Sequence, residues 1–76
     1  MSTITLDKLP LYSSGTIVSL NCSGILNRRL LDLGLVKGTC IKSIIKSPLG
    51  DPTAYEVRGS TIALREEDAK LIIVNN

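Results

Sequence analysis

The chain has 76 residues and a formal net charge of +2; 43% of it is hydrophobic, and it contains no His, Phe or Trp. That length fits one small domain near the lower limit of what folds alone, with an aliphatic core, since Tyr12 and Tyr55 are the only aromatic residues. Its weak, dispersed charge does not point to nucleic acid, and no apolar run approaches the roughly 18–20 residues that cross a bilayer. Met1–Thr5 lacks the basic stretch and apolar segment of a signal peptide, so a cytoplasmic protein without direct membrane insertion is expected. Cys22 and Cys40 are too few and too isolated for a disulfide scaffold; buried or half-buried structural thiols are expected, with a reactive or metal-binding pair as the alternative.

In chain order, Thr5–Leu9 can form one helical turn, capped by Thr5 and stopped before Pro10. Gly15 then precedes Thr16–Leu20, a β-branched run suited to a strand, with Val18 and Leu20 expected to point inward. Ser23 can cap a helix over Gly24–Leu33, in which Leu26, Leu30 and Leu33 form one apolar stripe. Arg28 and Asp32 stand four apart on the exposed side and can pair. Leu31 is the misfit, lying near Asn27 and Arg28 on the wet side, where either a covering loop or a partner must account for it. Gly34 falls at the C′ position, where a left-handed residue without a Cβ is wanted, and Leu35 should fold back on Leu30. Gly38 can open the next extended segment.

Thr39–Lys46 reads as a strand whose Ile44-Ile45 pair breaks the alternation, which predicts a bulge or bend. Lys46–Pro52 is a turn-rich loop between Pro48 and Pro52. If Gly59-Ser60 forms a two-residue turn, Val57 faces Ile62 and Tyr55 faces Leu64, leaving Glu56, Arg58, Thr61 and Arg65 on the opposite side. Glu66–Lys70 makes a single helical turn, acidic at its start and basic at its end. Leu71–Val74 closes the domain as a buried strand. The expected fold is mainly β: five short strands with one inserted helix, arranged as a small barrel over residues 1–76. An open edge between the bent strand at 39–46 and the terminal strand would permit self-association.

Three segments resemble the ferrous iron transport protein A (FeoA) family in order and spacing. They are Arg28-Arg29-Leu30-Leu31-Asp32-Leu33-Gly34-Leu35-Val36-Lys37-Gly38, then Pro48-Leu49-Gly50-Asp51-Pro52, then Val57-Arg58-Gly59 with Ile62-Ala63-Leu64-Arg65. The resemblance implies a Src-homology-3-like barrel with its helix between the first two main strands. It also implies a cytosolic accessory protein of the membrane ferrous-iron transporter FeoB, which carries a cytosolic GTP-binding region. On that basis Arg28, Arg29, Leu31 and Asp32 on the helix, with Leu49, Gly50 and Asp51 in the loop, are expected to bind the partner. Arginine can grip a carboxylate bidentately and leucine can anchor. Gly34, Gly38 and Gly59 are expected to be structural.

Catalysis has no support in the residues. There is no histidine, no G-x-S-x-G, no phosphate-cradling loop and no H-E-x-x-H pattern, and Glu66-Glu67-Asp68 reads as a solvated helix start. Two thiols and scattered carboxylates make a dedicated iron site or a cofactor unexpected. Two other classes fit a small barrel less well. Nucleic-acid binding wants a basic groove with aromatic platforms, and proline-rich peptide binding wants an aromatic-lined groove. A related domain ends iron-dependent repressors, but this chain carries no helix-turn-helix segment.

Overall fold

A computed structural model describes residues 2–76. The β-branched runs become six antiparallel strands: β1 (Thr3–Thr5), β2 (Ser14–Leu20), β3 (Cys40–Lys46), β4 (Thr53–Val57), β5 (Ser60–Leu64) and β6 (Ile72–Asn75). They form one sheet in the order β1-β6-β2-β3-β4-β5. Helix α1 (Gly24–Asp32) lies between β2 and β3, where the helix was expected, and the single turn α2 (Glu66–Ala69) precedes β6. A 3-10 turn at Leu6–Lys8 follows β1; Thr5 occupies its cap position, but its side chain makes no capping bond. The additional strand is β1, only three residues long, which pairs Thr3 with Asn75 and Thr5 with Ile73.

The sheet curls round an aliphatic core. Ile17 of β2, Ile41 of β3, Tyr55 and Val57 of β4, and Ile72 and Val74 of β6 all point into it, and Leu30 of α1 covers one side. Burying each such side chain stabilises the fold by about 1.5–3 kcal/mol relative to leaving it in water.

Two bulges bend this sheet. In β3 the pairing to β4 jumps between Ser43 and Ile45, so Ile44 is the extra residue that the broken alternation predicts. In β2 the register to β6 jumps between Ile17 and Ser19, which leaves Val18 without a partner. This second bulge corrects the expected inward pair. Ile17, not Val18, is buried, and Leu20 still packs on the core because the extra residue turns a two-residue period into three.

The β4–β5 hairpin has the expected faces but not the expected register. Tyr55 pairs with Ile62, Thr53 with Leu64 and Val57 with Ser60, so the turn is Arg58-Gly59 rather than Gly59-Ser60. Both turn residues are left-handed, at φ 51° and 82°, as a type I′ turn requires. The pairing is displaced by two residues in all, an even number, so Tyr55, Val57 and Leu64 remain inside while Glu56, Arg58, Thr61 and Arg65 stay exposed.

The open edge anticipated between 39–46 and the terminal strand does not exist. Strand β3 is paired on both sides, to β2 and β4, and β6 lies between β1 and β2. The free edges belong to β1 and β5.

Candidate partner-binding surface

Helix α1 is held by its C-terminal stop. Gly34 has φ +94°, its N–H donates to the Leu31 carbonyl at 3.0 Å, and the Leu35 N–H donates to the Leu30 carbonyl at 3.0 Å. These are the two bonds of a Schellman motif, with Gly34 at C′ and Leu35 at C″. Leu30 and Leu35 are both fully buried. At the other end Ser23 occupies the cap position in extended geometry, but its hydroxyl makes no capping bond.

The inward stripe is therefore Leu26, Leu30 and Leu35. Leu33, expected on it, is 42% exposed. The helix ends at Asp32, and the left-handed residue at 34 reverses the chain, so Leu35 takes the core position that a longer helix would have given to Leu33.

On the outer side, Gly24, Ile25, Asn27, Arg28, Leu31 and Asp32 line a shallow groove. Their spacing is that of neighbours three, four and seven apart on a helix surface. Leu31 is 42% exposed, so no loop of the domain has closed over it, and Ile25 is 88% exposed. The anticipated Arg28–Asp32 pair is not made. The ion pairs among the described residues are Arg65–Glu67 and Lys70–Glu66, each at 3.7 Å. In the Lys70–Glu66 pair, also four apart, the acid precedes the base, the favoured order on a helix, whereas Arg28 precedes Asp32. Arg28, Arg29 and Asp32 thus carry charges that the domain itself does not use. Arg29 is exposed, on the flank outside the groove.

The loop residues sit elsewhere. Leu49, 94% exposed, and Gly50 border a separate depression with Asp7, Lys46, Thr53, Tyr55 and Glu66. Asp51 borders a third, with Arg65, Glu66, Glu67, Lys70 and Leu71. Its Oδ1 accepts a bond of 2.9 Å from the Glu66 N–H and so caps α2 across fifteen positions of chain. The expected contact residues therefore do not converge in one depression: Arg28, Leu31 and Asp32 come together, and Leu49, Gly50 and Asp51 do not join them.

Gly34 and Gly59 have left-handed backbones, and Gly38, at φ +91°, donates its N–H to the Ile17 carbonyl at 2.7 Å. Sequence reasoning missed Ile25. The helical wheel that sets Leu31 apart from the stripe also places Ile25 outside it, and that signal was available.

Among the described residues there is no group of three or more His, Cys, Asp or Glu side chains placed to hold a metal ion. Cys22 is half-buried, with its Sγ 3.8 Å from Asn27 Oδ1, whereas Cys40, expected to be at least half-buried, is exposed at the start of β3. One ionisation is displaced: burial pushes the Tyr55 phenol above its ordinary 10.0, with Asp7 acting in the same direction and a hydrogen bond with Thr53 opposing it. Among the described residues no helix is long and apolar enough to cross a membrane.

An antiparallel sheet curled on one core, with helix α1 inserted between β2 and β3, defines a small β-barrel of the SH3-like class. The chain belongs to the FeoA domain family, whose model matches residues 4–76. It is 35% identical over 72 residues to a putative Fe(2+) transport protein A of Campylobacter jejuni, covering 95% of this chain and 97% of that one. It is 33% identical over 69 residues to a fusion of Fe(2+) transport protein A with the Fe(2+) transporter FeoB in Porphyromonas gingivalis. That match takes in 91% of this chain but only 8% of the fusion's length. The FeoA protein of Stenotrophomonas maltophilia, solved in complex with zinc and described as an SH3 domain protein, superposes with a TM-score of 0.84 at 34% identity. The superposition covers 95% of this chain and 89% of that one. The family is one of Fe(2+) transport.

Proposed function

We propose that residues 1–76 act as one non-enzymatic domain that docks on the cytosolic part of a FeoB-type Fe(2+) transporter and supports or regulates iron uptake. Docking uses the outer face of α1. The observation that carries this reading is the groove itself: Leu31 and Ile25 uncovered beside Arg28 and Asp32, none of them engaged by the domain. Arginine is enriched among the residues that dominate interface energies, and the uncovered Leu31 and Ile25 supply apolar area to bury beside it. The Porphyromonas gingivalis fusion supports the choice of partner, because one chain there holds both components. Leu49, Gly50 and Asp51 form a secondary contact in this reading, and Arg29 contributes from the rim of the groove. The protein then works in the cytoplasm and reaches the membrane through its partner.

The test is an NMR titration of labelled protein with the transporter's GTP-binding region, with GDP and with a non-hydrolysable GTP analogue. Shifts concentrated on Asn27–Asp32 are expected. Leu31→Asp should abolish binding while the fold survives, because the side chain lies outside the core. Unchanged affinity in a folded Leu31→Asp protein would remove α1 from the interface.

A further inference from the structure

The two free edges of the sheet are defended very differently. Strand β1 is three residues long, and shortness alone limits what can pair with it. Strand β5, Ser60-Thr61-Ile62-Ala63-Leu64, has five residues, and between its ends it carries no charge, no proline and no bulge. Those are the devices by which sheet edges are ordinarily blunted. Among the described residues no other strand runs along its outer side.

The register fixes which groups are left over. Across a two-residue hairpin the flanking residues, here Val57 and Ser60, exchange hydrogen bonds, and bonded and non-bonded pairs then alternate. Ser60, Ile62 and Leu64 therefore spend their backbone groups on β4, and those of Thr61 and Ala63 point away from it. Among the described residues no backbone or side-chain bond reaches either of them.

We infer that β5 pairs antiparallel with β5 of a second copy of this chain, about a two-fold axis at Ile62. In this register Thr61 exchanges bonds with Ala63 of the other copy and Ala63 with its Thr61, so all four outward residues are satisfied at once. An isologous contact demands such self-complementarity. The two Ile62 residues then form a non-bonded pair, the arrangement in which opposing side chains approach most closely. Ile62 is the one inward-facing β5 side chain that the core covers only in part. The contact is independent of the α1 groove and stands whether or not that groove binds a transporter.

Sedimentation equilibrium from micromolar to millimolar chain tests it. The weight-average mass should rise from 8.2 kDa towards twice that value, and Ala63→Pro should hold it at 8.2 kDa. Position 63 tolerates the change in the folded monomer because its N–H is not part of the β4 ladder. If that variant does not fold, a sample mixing labelled and unlabelled wild-type protein decides the matter through an intermolecular Hα–Hα contact at Ile62. A mass fixed at 8.2 kDa at millimolar concentration would overturn the proposal. So would a dimer whose intermolecular contacts leave Ile62 out, or a folded Ala63→Pro protein that still dimerises.

Discussion

Arg28 and Asp51 are both charged and exposed, and both lie in segments that resemble one family, yet the domain makes use of only one of them. Asp51 holds the first N–H of α2 and is accounted for by the architecture. Arg28 holds nothing, and the apolar residues beside it, Ile25 and Leu31, are uncovered. Exposure alone therefore does not mark a contact surface. What separates the two regions is whether a side chain already has work inside its own fold.

The sharpest way to press that difference is within α1 itself. Leu30→Ala removes a fully buried side chain and should cost about 2–5 kcal/mol, enough to unfold much of so small a domain. Leu31→Ala, one position away on the outer side, should stay within about 0.5 kcal/mol in urea denaturation while weakening any partner contact. A large stability loss at Leu31 would mean that the groove is structural, and the contrast with Asp51 would collapse.

Gly34→Ala comes next. A Cβ there meets no close atom, with Arg58 Cδ at 3.5 Å, but at φ +94° the substitution should cost about 1–2 kcal/mol through backbone strain alone. Asp51→Ala should cost about 0.5–2 kcal/mol by removing the cap of α2, and, as a secondary contact, should weaken transporter binding far less than Leu31→Asp does. A folded Asp51→Ala protein that lost as much affinity as Leu31→Asp but no stability would reverse the ranking of the two regions.

The smallest effect, nil at neutral pH, concerns Tyr55. Because burial raises its folded-state value above 10.0, the native protein retains the phenolic proton to higher pH than the unfolded chain does. The resulting stability is intact below about pH 10 and is lost as pH rises through the folded value. Denaturation curves on the alkaline side should show this decline, and Tyr55→Phe should flatten it.

Much of this architecture was legible in the residues. The Leu30–Gly34–Leu35 stop, the bulge at Ile44 and the inward set of the last hairpin all follow from local rules that the tertiary structure happens to satisfy. Several of the misreadings in the sheet share one cause, which is dependence on a partner strand. Val18 looks like a core residue until β6 imposes a bulge on β2, and the hairpin turn moves to Arg58-Gly59 because only there do two left-handed residues fall side by side. Strand β1 is too short to announce itself without β6. The candidate surface was half legible. Leu31 is out of place on any helical wheel, but the bond from Glu66 that engages Asp51 spans fifteen positions and cannot be seen from either residue.

The pairing of β1 with β6 sets Thr3 beside Asn75 and brings the Asn76 N–H within 3.3 Å of the Ser2 carbonyl. The two ends of the domain thus leave the barrel at one point, on adjacent strands. A short flexible linker could join them without bending the sheet, and the chain could then be opened in the exposed Pro48–Asp51 stretch instead. The order in which this polypeptide visits its strands is, in that sense, a choice of where the circle is cut, and a circularly permuted barrel should retain the same core.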